Sequence, residues 1–452
     1  MRLRFFYIFE HENHTTFTFM YIIILVLFYV LLPVVIIHFT ERFTMVKRIG
    51  AVVIAYVFGL ILGNVGIFPT VSEAYNSLVQ GKVALPADQV QALFEQGKLT
   101  ANDLLHNKIA IVQDMLTTLT IPLAIPLLLF SLNFKKWFRL AGTTFLSLGL
   151  ALLSVVIVVI VGFFIFRSKI PEIGKVSGML IGIYSGGTPN LASIKTALHV
   201  DPDIFIMTHT ADIVIGAVCL LFLITVAQKF FLLFLPAFKN HTNSEDTERL
   251  TREAEEMDNY KNIFSKKIFP GLLIAVLITI GIFAIGGALG MIVPQKFMMV
   301  VVILTITTLG LLFSLIPYVN RIEKTFPAGM YLIVVFCLVI SSMANLRGMI
   351  NTEYLDLLLY VTLVYFGSLF VHILLSLVFR IDADTVIITS TAMIYSPPFV
   401  PVVASALKNK DIIISGLTTG IIGYVIGNYL GIFIGFVLGG VMIMNSYYFI
   451  SL

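Results

Sequence analysis

Six consecutive residues, Ser185-Gly186-Gly187-Thr188-Pro189-Asn190, interrupt a long apolar run. Gly187 and Pro189 break the helical hydrogen-bond ladder there. The carbonyls they release, with the side chains of Ser185, Thr188 and Asn190, make a set of hard oxygen ligands suited to Na+. The helix that resumes near Asn190 begins with N–H groups that have no intrahelical acceptor, a place for an anionic group. A second patch, Ser396-Pro397-Pro398-Phe399-Val400-Pro401, interrupts a later apolar run with fewer polar groups. Peptide groups freed inside a bilayer cannot face lipid, so both patches must be buried in protein or line an aqueous cavity. The bland alternative is a structural kink, since Gly and Pro are common in membrane helices. For Ser396 alone the two readings weigh equally.

The run after the first patch contains Thr208-His209-Thr210-Ala211-Asp212. An acid within a membrane segment is a functional candidate by default, so Asp212, with Thr208 beside it, is read as the carrier of the coupling charge. Its alternative is an interfacial Asp a few turns from the segment start. His209 is read as a packing histidine, and Asp114 equally as an end residue or a functional one. Asn428 fits an interhelical hydrogen bond as well as a substrate contact. Seven glycines of the last segment, Gly416, Gly420, Gly423, Gly427, Gly431, Gly435 and Gly439, are mostly four apart. They predict a smooth stripe for close helix packing.

The elements that carry these residues follow from composition. The chain is 58% hydrophobic and 12% charged, with a mean hydropathy of +0.99. A soluble domain is about 45–50% apolar and roughly 25% charged, so most of the outer surface must face lipid. Apolar runs of about twenty residues without alternation mean helices rather than barrel strands. The net charge of +4 lies in loops and does not point to nucleic acid. Cys219 and Cys337 both fall inside apolar runs, which argues against a structural disulfide. The first apolar run is too long for a signal-peptide core and is followed by charge, so it reads as a retained helix.

Eleven or twelve membrane segments are read between residues 19 and 446, two of them interrupted, at 174–198 and 382–407. Residues 71–108 form a mixed-charge extramembrane loop with a short helix near 86–96. Residues 238–267 form a densely charged cytoplasmic linker. The expected organisation is an extra N-terminal helix over 1–45, a first membrane repeat over 46–237, the linker, and a second repeat over 268–452. The repeat rests on order: Ile-Tyr-Ser opens both patches (Ile183, Ile394), an Ala-Leu pair closes the helix beyond each (Leu198, Leu407), and Asp203 or Asp411 restarts the next segment. If each interrupted segment crosses the membrane, corresponding helices are six crossings apart and parallel. If each is a re-entrant hairpin, they are five apart and inverted. Lys and Arg counting is a tie; the early loop clusters favour hairpins, with the N-terminus outside.

These residues also carry a resemblance. The SGGTPN-LASIKTAL and SPPFVPVVASAL-KNKDIIISG cores and the GYVIGNYLG tail resemble the uncharacterised YjcL-like bacterial integral membrane family, a domain of unknown function (819). That family looks like a distant relative of the sodium–glutamate and 2-hydroxycarboxylate symporters of the cation–proton antiporter/anion transporter group. The resemblance spans roughly 110–235 and 325–450. It implies an all-α polytopic fold of two inverted repeats with two hairpins, a homodimeric scaffold and elevator-like movement. Carried onto this chain, the tips are Ser185–Asn190 and Ser396–Pro401, and the second departs from the Gly-rich tip of the symporters.

The functional expectation is a secondary active transporter in the inner (plasma) membrane of a bacterium. It would move a small organic solute, expected to be anionic, coupled to Na+ or H+. Ser185, Gly186, Gly187, Thr188 and Asn190, with Ser396, Pro397 and Pro398, would hold solute or ion, and Na+ would sit at Ser185, Thr188 and Asn190. A cation/proton antiporter is the alternative, and a membrane sensor or partner-docking protein is the alternative of another class. No cofactor and no enzyme activity are expected. A GxxxxGK[ST] phosphate loop is absent, and His11-Glu12-Asn13-His14 lacks the i, i+4 histidines of a zinc protease.

Overall fold

The computed structural model describes residues 2–43, 50–79, 83–131, 142–238, 259–343, 352–395, 399–409 and 412–450. The tip residues Ser396, Pro397 and Pro398, and most of the charged linker, lie outside them.

Among the described residues the chain is all helical, without a strand. In order the principal helices are α1 (Arg2–Arg42), α2 (Ala51–Asn64), α3 (Glu73–Val79), α4 (Ala87–Glu95), α5 (Ala101–Phe130), α6 (Gly142–Phe166), α7 (Ile173–Leu198) and α8 (Pro202–Thr225). After the linker come α9 (Phe269–Gly290), α10 (Met298–Ser314) and α11 (Thr325–Ser342). The helix α12 runs Thr352–Thr362, passes through a π-helical stretch at Leu363–Gly367, and continues as Ser368–Val378. The last three are α13 (Ala383–Tyr395), α14 (Val400–Ala406) and α15 (Ile413–Ile450). Eight helices are long and apolar enough to cross a membrane, and α2 and α10 are shorter apolar helices.

The helix α9 shows why the surface is lipid-facing. It buries Leu272, Ala275, Thr279, Ile282, Gly286 and Gly290, a stripe at three- and four-residue spacing. Its other face exposes Leu273, Leu277 and Ile280. A helix apolar all round suits hydrocarbon, not water.

Two compact units are distinguished by packing. The first comprises Met1–Thr120, Asp201–Asp203 and Tyr331–Gly348. Within it, Gln113 Nε2 donates to the Tyr29 hydroxyl at 2.8 Å and to Ser342 Oγ at 3.1 Å, and Tyr29 and Ser342 share a 2.6 Å bond. Both hydrogens of the Gln113 amide thus have buried hydroxyl acceptors. The same unit holds the extramembrane segment expected over 71–108. Its short helix is α4, and Tyr75, Leu85, Val90 and Leu99 form a small core under it. Asn107 fastens that core, accepting from the Tyr75 hydroxyl at 2.7 Å and from the Leu85 N–H at 2.8 Å.

The second unit comprises Ile121–Val200, Ile204–Met330 and Met349–Leu452. Its centre is α7, in which every residue is buried except Lys175 and Thr188.

Candidate functional site

The helix α7 is interrupted at Gly187, whose φ of 65° and ψ of −155° lie in a region open essentially to glycine alone. The chain folds back there. A Cβ at Gly182 would stand 2.4 Å from the Ile194 side chain, whereas an unbroken helix would separate the two residues by about 18 Å. At the open end, the Lys175 ammonium donates to the His199 carbonyl at 3.0 Å and also pairs with Glu172. The segment is therefore a helical hairpin. Pro189 falls at the start of the second arm, where its missing N–H costs nothing.

The arms α13 and α14 form a second hairpin. Asn409 Nδ2 donates to Asp384 at 2.9 Å across its open end, and Gln228 Nε2 reaches both Asp384 and the Leu407 carbonyl. The second arms end alike. His199 and Lys408 are left-handed at φ 49° and 55°, and the next N–H bonds back five residues, Val200 to Lys195 and Asn409 to Ala404, each at 3.0 Å. That six-to-one bond is a Schellman ending.

At the first tip, Ser185 is buried and its hydroxyl donates to the Ile181 carbonyl at 2.6 Å. Asn190 donates to the Gly423 carbonyl at 3.3 Å. Gly186 and Gly187 are buried, and Thr188 is half-buried. The glycine stripe of α15 makes this approach feasible. A Cβ at Gly423 would fall 2.0 Å from the Ser185 carbonyl oxygen, one at Gly427 2.0 Å from Ser185 Oγ, and one at Gly431 2.3 Å from Ile194. The Asn428 amide reaches Thr307 of α10 at 3.5 Å.

Asp212 belongs to a second group. It is 9% exposed, about ten residues into α8, or about 15 Å along it. His209 Nδ1 lies 3.1 Å from Oδ2, and the Tyr365 hydroxyl donates to Oδ1. Tyr365 is set by the π-helical stretch of α12, a deviation frequent at functional sites. The Tyr395 hydroxyl donates to the Gly216 carbonyl at 2.6 Å, one turn past Asp212. Cys219 and Tyr395 interact through their side chains. Thr208 is buried and donates to its own helix at Ile204. The two groups are joined through Tyr184, whose ring meets that of Tyr365 edge-on at 6.4 Å. The Tyr184 side chain is fully buried and its hydroxyl interacts with Ser390.

Residues 90–440 match the family described as Protein of unknown function (DUF819). The chain belongs to that family. A curated relative in Bacillus subtilis (strain 168), called "Uncharacterized membrane protein YjcL", is 23% identical over 398 residues, covering 85% of this chain and 88% of its own. With eight candidate spans, this DUF819 member is a multi-pass membrane protein.

Further polar residues of this DUF819 chain were not singled out in the sequence. His372, fully buried, has Nε2 3.3 Å from Ser147 Oγ and Nδ1 3.2 Å from Ser390 Oγ, and Ser147 donates to Thr389 at 3.0 Å. Tyr184 and Tyr395 carried a signal, since both belong to the repeated Ile-Tyr-Ser. Tyr365 carried none: its partner is 153 residues away.

Proposed function

We propose that the chain is a secondary active transporter, elevator-like and homodimeric, in the inner membrane of a bacterium. It moves a small anionic organic solute coupled to Na+ or H+. The observation that carries the reading is the fold-back at Gly187 inside a buried hairpin. Its second arm opens near Asn190 with N–H groups that an anion can take up. Paired interrupted segments at matching places in two halves are the best structural pointer to a transport site.

The finer architecture belongs to the same proposal. The run α2, α5, α6, α7, α8 matches the run α10, α11, α12, α13/α14, α15 in order, each opened by one of the two shorter apolar helices. The matched Schellman endings support pairing the hairpins. With both hairpins re-entrant, five crossings separate corresponding helices, so the repeats are inverted and the hairpins enter from opposite faces. One observation favours the antiporter instead: Asp212 is bonded to His209 and Tyr365, whereas the Ser185 and Asn190 side chains bond to the carbonyls of Ile181 and Gly423.

The test is a thermal-shift screen of purified full-length protein against organic anions and amino acids, each in Na+ and in K+. A ligand stabilises the folded state in proportion to ln(1 + [L]/Kd). The expected result is a hit lost in Asn190→Ala, with uptake of the same compound into proteoliposomes. Hits indifferent to both hairpin tips, or none across the panel, would reject the reading.

A further inference from the structure

We infer that the coupling ion is a proton, held by Asp212 between His209 and Tyr365. The inference deepens the transporter reading and rests on it, because it names the ion that drives the same machine.

The hydrogen-bonding capacity of the two partners decides between ions. Both carboxyl oxygens of Asp212 are taken, Oδ2 by His209 Nδ1 and Oδ1 by the Tyr365 hydroxyl. A hard cation gathers several oxygen ligands with lone pairs turned toward it. Here the nearest groups are a ring nitrogen and a hydroxyl whose hydrogen points at the carboxylate, so a cation at those two lone pairs would have to displace both. A proton needs no such rearrangement. Imidazole donates or accepts at Nδ1 according to its tautomer, and a phenol donates or accepts too. A lysine or a backbone N–H could serve only the ionised acid. The site is thus built from groups that bond to both forms of a carboxyl.

The step balances simply. Hydronium gives its proton to His209 Nε2 and water leaves, while an O–H bond forms at Asp212 Oδ2. The proton of that bond is the Nδ1 hydrogen of His209, released as the proton from hydronium binds at Nε2, so the new O–H donates back to Nδ1 and the ring stays neutral. Unloaded, the group carries one negative charge about 15 Å into α8; loaded, it is neutral. Burying an unneutralised charge at that depth is costly, so loading and unloading bias which arrangement of the protein is favoured.

The titratable groups around Asp212 among the described residues are few. His209 and Cys219 come from its own helix, Tyr365 from α12, Tyr395 from α13, and Tyr184 from α7. None of them is a cationic Lys or Arg that would fix the carboxylate permanently.

The experiment is infrared difference spectroscopy of the full-length protein in liposomes over a series of pH values, first in K+ and then in equimolar Na+. The expected result is a protonated-carboxyl C=O band with the same midpoint in both cations. It disappears in Asp212→Asn, and in Tyr365→Phe it moves to the frequency of a carboxyl with one hydrogen bond fewer. A midpoint displaced tenfold in proton concentration by Na+ would assign the site to the cation and overturn the inference. So would absence of the band, its persistence in Asp212→Asn, or an unmoved frequency in Tyr365→Phe. The cation comparison on the unmodified protein holds even if a variant does not fold. The solute screen fails separately: a titrating Asp212 with no solute hit would sink transport and leave the proton site standing.

Discussion

Glycine positions distinguish a designed contact from an ordinary helix. Gly187 holds φ 65° and ψ −155°, so a side chain there is strained by about 1–3 kcal/mol whatever the space around it. At Gly423 the conflict is contact: a Cβ would meet the Ser185 carbonyl at 2.0 Å, and backbone has to yield. Overpacking of that kind costs about 1–3 kcal/mol. Gly149 and Gly281 have nothing within 4 Å of an added Cβ, and Ala there gains up to about 1 kcal/mol of helix propensity. Gly187→Ala and Gly423→Ala should therefore lower the midpoint of thermal unfolding in detergent, while Gly149→Ala and Gly281→Ala leave it unchanged or raise it. Equal midpoints for all four would mean that the tip does not pack as described. The sequence exposed Gly187 and Pro189 as breakers, but not which of them turns the chain. Proline fits the first turn of the second arm, so the glycine takes the turn.

Elements were legible wherever one local signal sufficed. Apolar run length placed the interrupted segment at 174–198 against the observed Ile173–Leu198, and the short helix expected near 86–96 in the mixed-charge loop is Ala87–Glu95. Pairings across the chain escaped, such as Gln113 with Tyr29 and Ser342, or Tyr365 with Asp212. The π-helical stretch shifts the register of α12, so helical periodicity cannot say where Tyr365 points. The element around α3 and α4 depends on another such pairing, Tyr75 with Asn107. Burial, and then the charge of Asp103, push the Tyr75 hydroxyl up to about 12. A folded value above the unfolded one means its contribution is whole below pH 10 and fades as pH rises toward 12. Proteolytic cutting between residues 83 and 100 should accelerate over that window. Tyr75→Phe loses a hydrogen bond worth about 1 kcal/mol, so it should be cut several-fold faster at neutral pH and show less added acceleration above pH 10. Identical alkaline profiles for the two proteins would remove Tyr75 as the cause.

Across the whole molecule, the proposed inversion makes a prediction that parity alone decides. His199 and Lys408 end the second arms of the two hairpins, are left-handed, and are exposed. If both hairpins are re-entrant and the N-terminus is outside, four crossings precede the first hairpin, so His199 lies outside. Five more separate the hairpins, so Lys408 lies in the cytoplasm. If the interrupted segments crossed instead, six crossings would separate these positions and both would share one face. The native cysteines, Cys219 and Cys337, are fully buried and provide little background. The Lys175 bond is to the His199 carbonyl, so replacing that side chain leaves it in place. In intact cells a membrane-impermeant maleimide should label His199→Cys and spare Lys408→Cys. In inside-out vesicles the order should reverse. Labelling of both from one side would remove the inverted repeat, and with it the reason for two hairpins to meet from opposite faces around a shared passenger.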